Sequence, residues 1–196
     1  MIELVVLGAT LALAAGASGA RVRRRIMAAR TFQRYAQWRS HHYVPAPRGS
    51  ASPRVEGSKD EIAFTLDLVR VRGQVRTRAS AAVVKGPGAK IAIVQRGHVS
   101  RALGKADDDA IDVGIASFDA AYRVHGMLPT EAREWLETTL AHLVCLDERR
   151  DVWLGSDGAK VTLMWSGVEP NPVLLDAARD LVVSLAGWHR PEVPYR

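Results

Sequence analysis

Between Glu61 and Arg96 the apolar residues fall on every second position. Ile62, Phe64, Leu66 and Leu68 form one run, and Val75, Thr77, Ala79, Ala81 and Val83 form the next, with Gly73 at the turn between them. A second turn, Lys85-Gly86-Pro87-Gly88, leads into Ile91-Ala92-Ile93-Val94. Arg70, Arg72, Arg76 and Arg78 share these stretches with the apolar residues. The pattern therefore predicts an antiparallel meander with one wet face. After a loop over residues 97–110, residues 111–126 read as a short turn and another strand. The period then changes. Ala132, Trp135, Leu136, Thr139, Leu140 and Leu143 recur at helical spacing, so residues 130–143 predict an amphipathic helix, with Glu131 and Glu134 at its positive end. Val152-Trp153-Leu154, the turn Ser156-Asp157-Gly158 and residues 161–165 form a hairpin. A last helix begins at Asn171 as N-cap and Pro172, carries Leu174, Leu175, Ala178, Leu181, Val182 and Leu185 on one stripe, and ends before Gly187. Strands come first and helices are mixed in later. Residues 60–190 are thus expected to form an α+β domain, an antiparallel sheet with two amphipathic helices on one side, followed by a tail at 191–196.

The N-terminal quarter has neither period. Leu4 to Ala20 carries no charge, and Arg21, Arg23, Arg24 and Arg25 follow at once. Three readings compete. A cleaved signal peptide has Ala15-Gly16-Ala17 as its site but lacks a basic start, since Glu3 stands there. A core helix should show a polar face, and this segment shows none. The favoured reading is a transmembrane helix over residues 1–20, although the uncharged stretch spans only about 25 Å of the ~30 Å hydrocarbon layer. The arginines predict a short N-terminus outside and the domain in the cytoplasm, single-pass in a bacterial inner membrane. Gly8, Ala12, Gly16 and Ala20 recur every four residues and are candidates for helix–helix contact in a homodimer. Residues 21–44 read as a basic juxtamembrane helix. In it Ile26, Phe32, Tyr35 and Trp38 alternate with Arg30, Arg34 and Arg39, a mix suited to a lipid surface or to packing of the aromatics on the domain. Residues 45–59, rich in Pro, Gly and Ser, read as a linker.

Charge refines this picture. The net +6 divides into −1 for residues 1–20, +9 for 21–59 and −2 for 60–196. The basicity is a collar ahead of a nearly neutral domain. That arrangement argues against nucleic acid as a partner and for anionic membrane lipids, with Arg21, Arg23, Arg24, Arg25, Arg30, Arg34 and Trp38 as the contact residues. Within the domain, residues 60–105 sum to +6 and 106–196 to −8, which predicts complementary faces or attraction between copies.

The stretch GIASFDAAYRVHG (residues 114–126), the helix after it, the hairpin and the final LLDAARDLVVSLA helix resemble an arrangement in uncharacterised bacterial membrane-anchored proteins. Those proteins carry a G-D-x-x-F-D-x-x-F-x-V-x-G stretch. Phe118, Asp119, Tyr122, Val124 and Gly126 match it, and Ala116 stands where Asp is usual. The resemblance covers roughly residues 110–188. It implies a fold and a bacterial origin, and no activity.

Candidate chemistry is sparse. Gly97 to Ala106 has six residues between glycines where a phosphate loop needs four, and Ala where Ser or Thr must hold magnesium. The acidic run Asp107, Asp108, Asp109 and Asp112 puts Asp112 and Phe118 where an EF-hand needs Gly and Glu. Asp119 and His125 are the nearest thing to a base and its orienting carboxylate. The single cysteine, Cys145, excludes an internal disulfide and reads as a small buried residue. No catalytic residue, metal ligand or cofactor follows from the sequence. The expected role is a membrane-anchored binding or scaffolding module for a protein partner. The first alternative is a lipid or small-ligand binding domain, which a cavity of at least ~300 Å³ between helix and sheet would favour. The other is an enzyme using the acidic loop with His98 or His125.

Overall fold

The structure, a computed structural model, describes residues 26–46, 52–84, 90–96, 110–146 and 149–188. Helix α1 covers residues 26–39. The order after it is β1 (His42–Val44), β2 (Arg54–Lys59), β3 (Ile62–Val71), β4 (Gln74–Ala82), β5 (Lys90–Gln95), α2 (Ala116–Ala121), β6 (Tyr122–His125), α3 (Pro129–Cys145), β7 (Trp153–Asp157), β8 (Lys160–Ser166) and α4 (Pro172–Gly187).

The eight strands form one antiparallel sheet in the order β1-β2-β3-β4-β8-β7-β5-β6. Two of its tight turns are built from pairs of residues with positive φ, Asp60-Glu61 between β2 and β3 and Arg72-Gly73 between β3 and β4. Such pairs match the twist of the strands they join. Register carries one side chain per strand into a single row: Tyr43, Val55, Leu66, Ala79, Leu163, Leu154, Ile93 and Val124. From Val55 onward none of these is more than 1% exposed. Burying a Leu or Val fully contributes about 1.5–3 kcal/mol, so this row and the helices on it hold the sheet together.

Helix α4 packs on β3, β4 and β8, and α3 packs on α4. Leu174, Leu175, Ala178, Leu181, Val182 and Leu185 are buried, as their spacing predicts. Asn171 accepts a hydrogen bond from the Val173 N–H and caps the helix. Gly187 is the last helical residue, and a Cβ there would meet Ile62 Cδ1 at 2.9 Å. At α3, the Glu131 carboxylate reaches back to the Leu128 N–H at 2.9 Å.

Three expectations are corrected. The transmembrane helix, and with it the single-pass inner-membrane placement with a cytoplasmic domain, finds no support. Among the described residues no helix is long and apolar enough to cross a membrane. The first of them, α1, has Arg30, Gln33 and Arg34 on its exposed side, and α4 carries Asp176, Arg179 and Asp180. Residues 1–20, on which that expectation rested, lie outside the described residues. Second, the helix expected over 21–44 ends at residue 39 and gives way to β1. Third, the second half of the expected linker is strand β2, which pairs along its whole length with β3. Its inward positions are Val55, which is buried, and the half-buried site opposite Phe64, which is Gly57. A Cβ on Gly57 would lie 2.7 Å from the Phe64 ring and 2.8 Å from His41 Nδ1.

Candidate binding surface

Helix α1 is split between two environments. Ala28, Phe32, Tyr35 and Ala36 are buried in the core, whereas Arg30, Arg34 and Trp38 lie one turn apart on the solvent side. Ile26 and Met27 begin the same exposed side and are 46% and 55% exposed. Trp38, 57% exposed, has the Arg39 guanidinium 3.9 Å from its ring centroid. Three of the residues expected to contact lipid therefore share one surface. The others, Arg21, Arg23, Arg24 and Arg25, lie outside the described residues, as do Gly8, Ala12, Gly16 and Ala20.

A polar cluster clamps α1 to α4. Tyr35 donates to Asp176 Oδ1 at 2.8 Å, and Arg39 pairs with Asp176 Oδ2. Arg179 bridges Asp176 at 2.9 Å and Asp180 at 2.7 Å. Lys59 from the end of β2 also reaches Asp180, at 2.7 Å. Burial and the bond to Asp176 push the Tyr35 phenol well above its ordinary range. Burial alone would raise Asp180, but the bonds from Arg179 and Lys59 outweigh it and hold the carboxyl below its usual value. His41 is wedged between the rings of Tyr35 and Phe64, at centroid distances of 5.9 and 5.0 Å, and burial followed by the nearby Arg179 lowers its pKa. Tyr35, Arg39, Lys59, Asp176, Arg179 and Asp180 are all engaged with one another, which makes the cluster a clamp.

At the other end of the sheet, an open cleft of 580 Å³ is lined by Met27, Gly73, Gln74, Val75, Arg150, Asp151, Ser166, Gly167 and Val168. Its walls are fixed by hydrogen bonds from Ser166 N–H to the Arg150 carbonyl (3.0 Å) and from Gly167 N–H to the Val75 carbonyl (2.9 Å). Behind it lies Glu169, 2% exposed. It accepts from the Asn171 N–H at 2.9 Å and the Trp165 indole at 3.3 Å, and pairs with Arg149 at 2.8 Å. Thr77 links the backbones on either side, accepting from the Glu169 N–H and donating to the Gly167 carbonyl. Nothing in the sequence pattern singles out Glu169, because two of its partners, Thr77 and Arg149, lie far from it along the chain.

The remaining sequence candidates do not converge. Both oxygens of Asp119 are taken by backbone, the N–H groups of Val113 and Gly114 at 2.9 Å each, so this carboxylate shapes the loop ahead of α2. Phe118 and Tyr122 stack at 5.2 Å, and Gly126 has φ +78°. The stretch 114–126 thus has a structural role at each matched residue for which a contact is seen. His125 is buried, and its Nδ1 has no hydrogen-bond partner. Asp112 is exposed, whereas Asp107, Asp108, Asp109 and His98 lie outside the described residues. Among the described residues no group of three His, Cys, Asp or Glu side chains is placed to hold a metal. Cys145, expected to be buried, is exposed at the end of α3.

The fold and these surfaces define an α+β domain with one antiparallel sheet and a helical layer. No protein-family model matches the chain, and no curated protein matches it. Among solved structures it is similar to the crystal structure of the mycobacterial trehalose monomycolate transport factor A, TtfA. The TM-score is 0.50 at 12% sequence identity, over 81% of this chain and 92% of that one. At that identity the likeness concerns the fold alone.

Proposed function

We propose that this chain is a non-catalytic binding module in lipid handling, one that works through its surface and does not enclose a lipid in its core. The observation that carries the reading is α1: one side is locked into the domain, and the other presents Arg30, Arg34 and Trp38 together, with Ile26 and Met27 beside them. Guanidinium groups and an indole on one helix side suit anionic lipid head groups, at about 1 kcal/mol per Lys or Arg near such a surface. The helix–sheet interface supports surface action. Leu66, Leu154, Leu163, Leu175, Leu181 and Val182 fill it at zero exposure, leaving no room among them for an acyl chain. The similar fold of a protein named as a transport factor for trehalose monomycolate agrees with a place in lipid movement.

The test is flotation of the full chain with vesicles of phosphatidylcholine alone or mixed with phosphatidylglycerol. Binding is expected to require phosphatidylglycerol. Replacing Arg30 and Arg34 by Glu should weaken it by about tenfold or more. Melting temperature should hold, because exposed positions shift stability by only about 0.5 kcal/mol. Equal flotation of the variant and the parent would refute the reading.

A further inference from the structure

We infer that the cleft at the sheet end is a binding site for a neutral polyhydroxyl head group, a saccharide carrying an apolar substituent. The inference rests on the lipid-handling reading and assigns a separate surface to the head group. The volume of 580 Å³ falls within the roughly 300–1,000 Å³ of small-molecule sites.

The chemistry of the lining selects the ligand. Asp151 is held in the left-handed region at φ +59°, a conformation that costs energy for a residue with a side chain. Its Oδ2 accepts from the Ser166 hydroxyl at 2.6 Å and lies 3.7 Å from Arg76 Nη2. The carboxylate is therefore fixed in place before any ligand arrives. Arg76 is not itself a lining residue, and its guanidinium serves to steady that carboxylate. Gln74 and Arg150 are exposed on the rim and offer an amide and a guanidinium.

A carboxylate in the lining repels a phosphate, and the Arg150 guanidinium beside it repels a cation. Hydroxyl groups suit both, because each donates to the carboxylate or amide oxygen and accepts from the amide or guanidinium N–H. Val75, Val168 and Met27 add apolar surface on which the C–H face of a sugar ring or the first methylenes of a chain can lie. Met27 also joins this cleft to the exposed side of α1.

The test is calorimetric titration of the full chain with decyl maltoside, decylphosphocholine and maltose, each below any micelle concentration. One decyl maltoside per chain is expected, bound at least about tenfold more tightly than decylphosphocholine. Asp151→Asn keeps a residue type that tolerates the left-handed backbone and should weaken decyl maltoside about tenfold or more. Gln74→Ala, at the exposed start of β4, should weaken it as well and serves if Asp151→Asn fails to fold. Equal binding of the two amphiphiles, or indifference to both variants, would overturn the site. The Arg30/Arg34 charge reversal should leave decyl maltoside binding unchanged. Loss of flotation with retained titration would therefore fault the α1 surface and spare the cleft, and the opposite result would fault the cleft alone.

Discussion

His41 occupies a gap that its neighbours keep apolar, between Tyr35 and Phe64 and above Gly57, with Nε2 buried and unbonded. Burial favours the neutral imidazole, so its folded-state pKa lies below the ordinary 6.5. The unfolded chain then binds the proton more readily. The stability this neutral group confers is complete above pH 6.5 and is lost as the pH falls through the folded value. The groups facing it temper the size of the effect, since Arg179 and Arg39 oppose protonation and Asp176 favours it. We expect the melting temperature to drop between pH 7 and pH 5, and His41→Phe, which keeps an aromatic ring in the stack, to flatten part of that slope. An identical pH profile for the variant would refute the assignment. In the sequence His41 stands beside His42 near the end of the expected juxtamembrane helix, with nothing to mark its surroundings. Its environment is set by Phe64 and Gly57, which pairing of β2 with β3 brings next to it.

Elements whose burial follows a regular period were legible, namely β3, β4, α3 and α4, together with the β7–β8 hairpin. Those whose inward position is a glycine or whose apolar residues face two environments were not. Strand β2 exposes no alternation because Gly57 fills one inward site, and it was read as linker. In α1 the four large apolar residues read as one set, suited to a lipid surface or to packing on the domain, yet Phe32 and Tyr35 enter the core while Ile26 and Trp38 do not. Of the candidate surface, Arg30, Arg34 and Trp38 could be read from composition and spacing, but the cleft could not, since it assembles α1, β4, β8 and the loop before β7. The turn between β6 and α3 makes a sharper demand. Gly126 has φ +78°, and a Cβ there would lie 1.9 Å from the Lys90 carbonyl oxygen, which belongs to backbone. Gly126→Ala should cost at least about 2 kcal/mol, the left-handed penalty plus displacement of β5. Urea denaturation reads the loss, and amide exchange should quicken first at Ala92 and Val94, which pair with β6. Wild-type stability in this variant would show that the turn can yield.

Across the whole molecule the uneven distribution of charge along the chain resolves into contacts within one domain. Cations from the first half meet anions from the second at Arg39–Asp176, Lys59–Asp180 and Arg76–Asp151. The α+β class was readable, but the strand order was not. Hydrophobic alternation says that a strand has an inner face and is silent about its neighbours. The order β4-β8-β7-β5 places the last hairpin between the four-strand meander and the β5–β6 pair. That insertion has a consequence for biosynthesis. A nascent chain halted at residue 150 would hold two half-sheets with bare edges at β4 and β5 and no strand to join them. Such pairings across long stretches of sequence form slowly, and exposed strand edges invite association with other chains. A truncated product ending there should be degraded or aggregate, and limited proteolysis should find no resistant core in it. Protease-resistant residues 42–82 in that fragment would mean that the meander folds during translation, before the wedge that completes the sheet has been made.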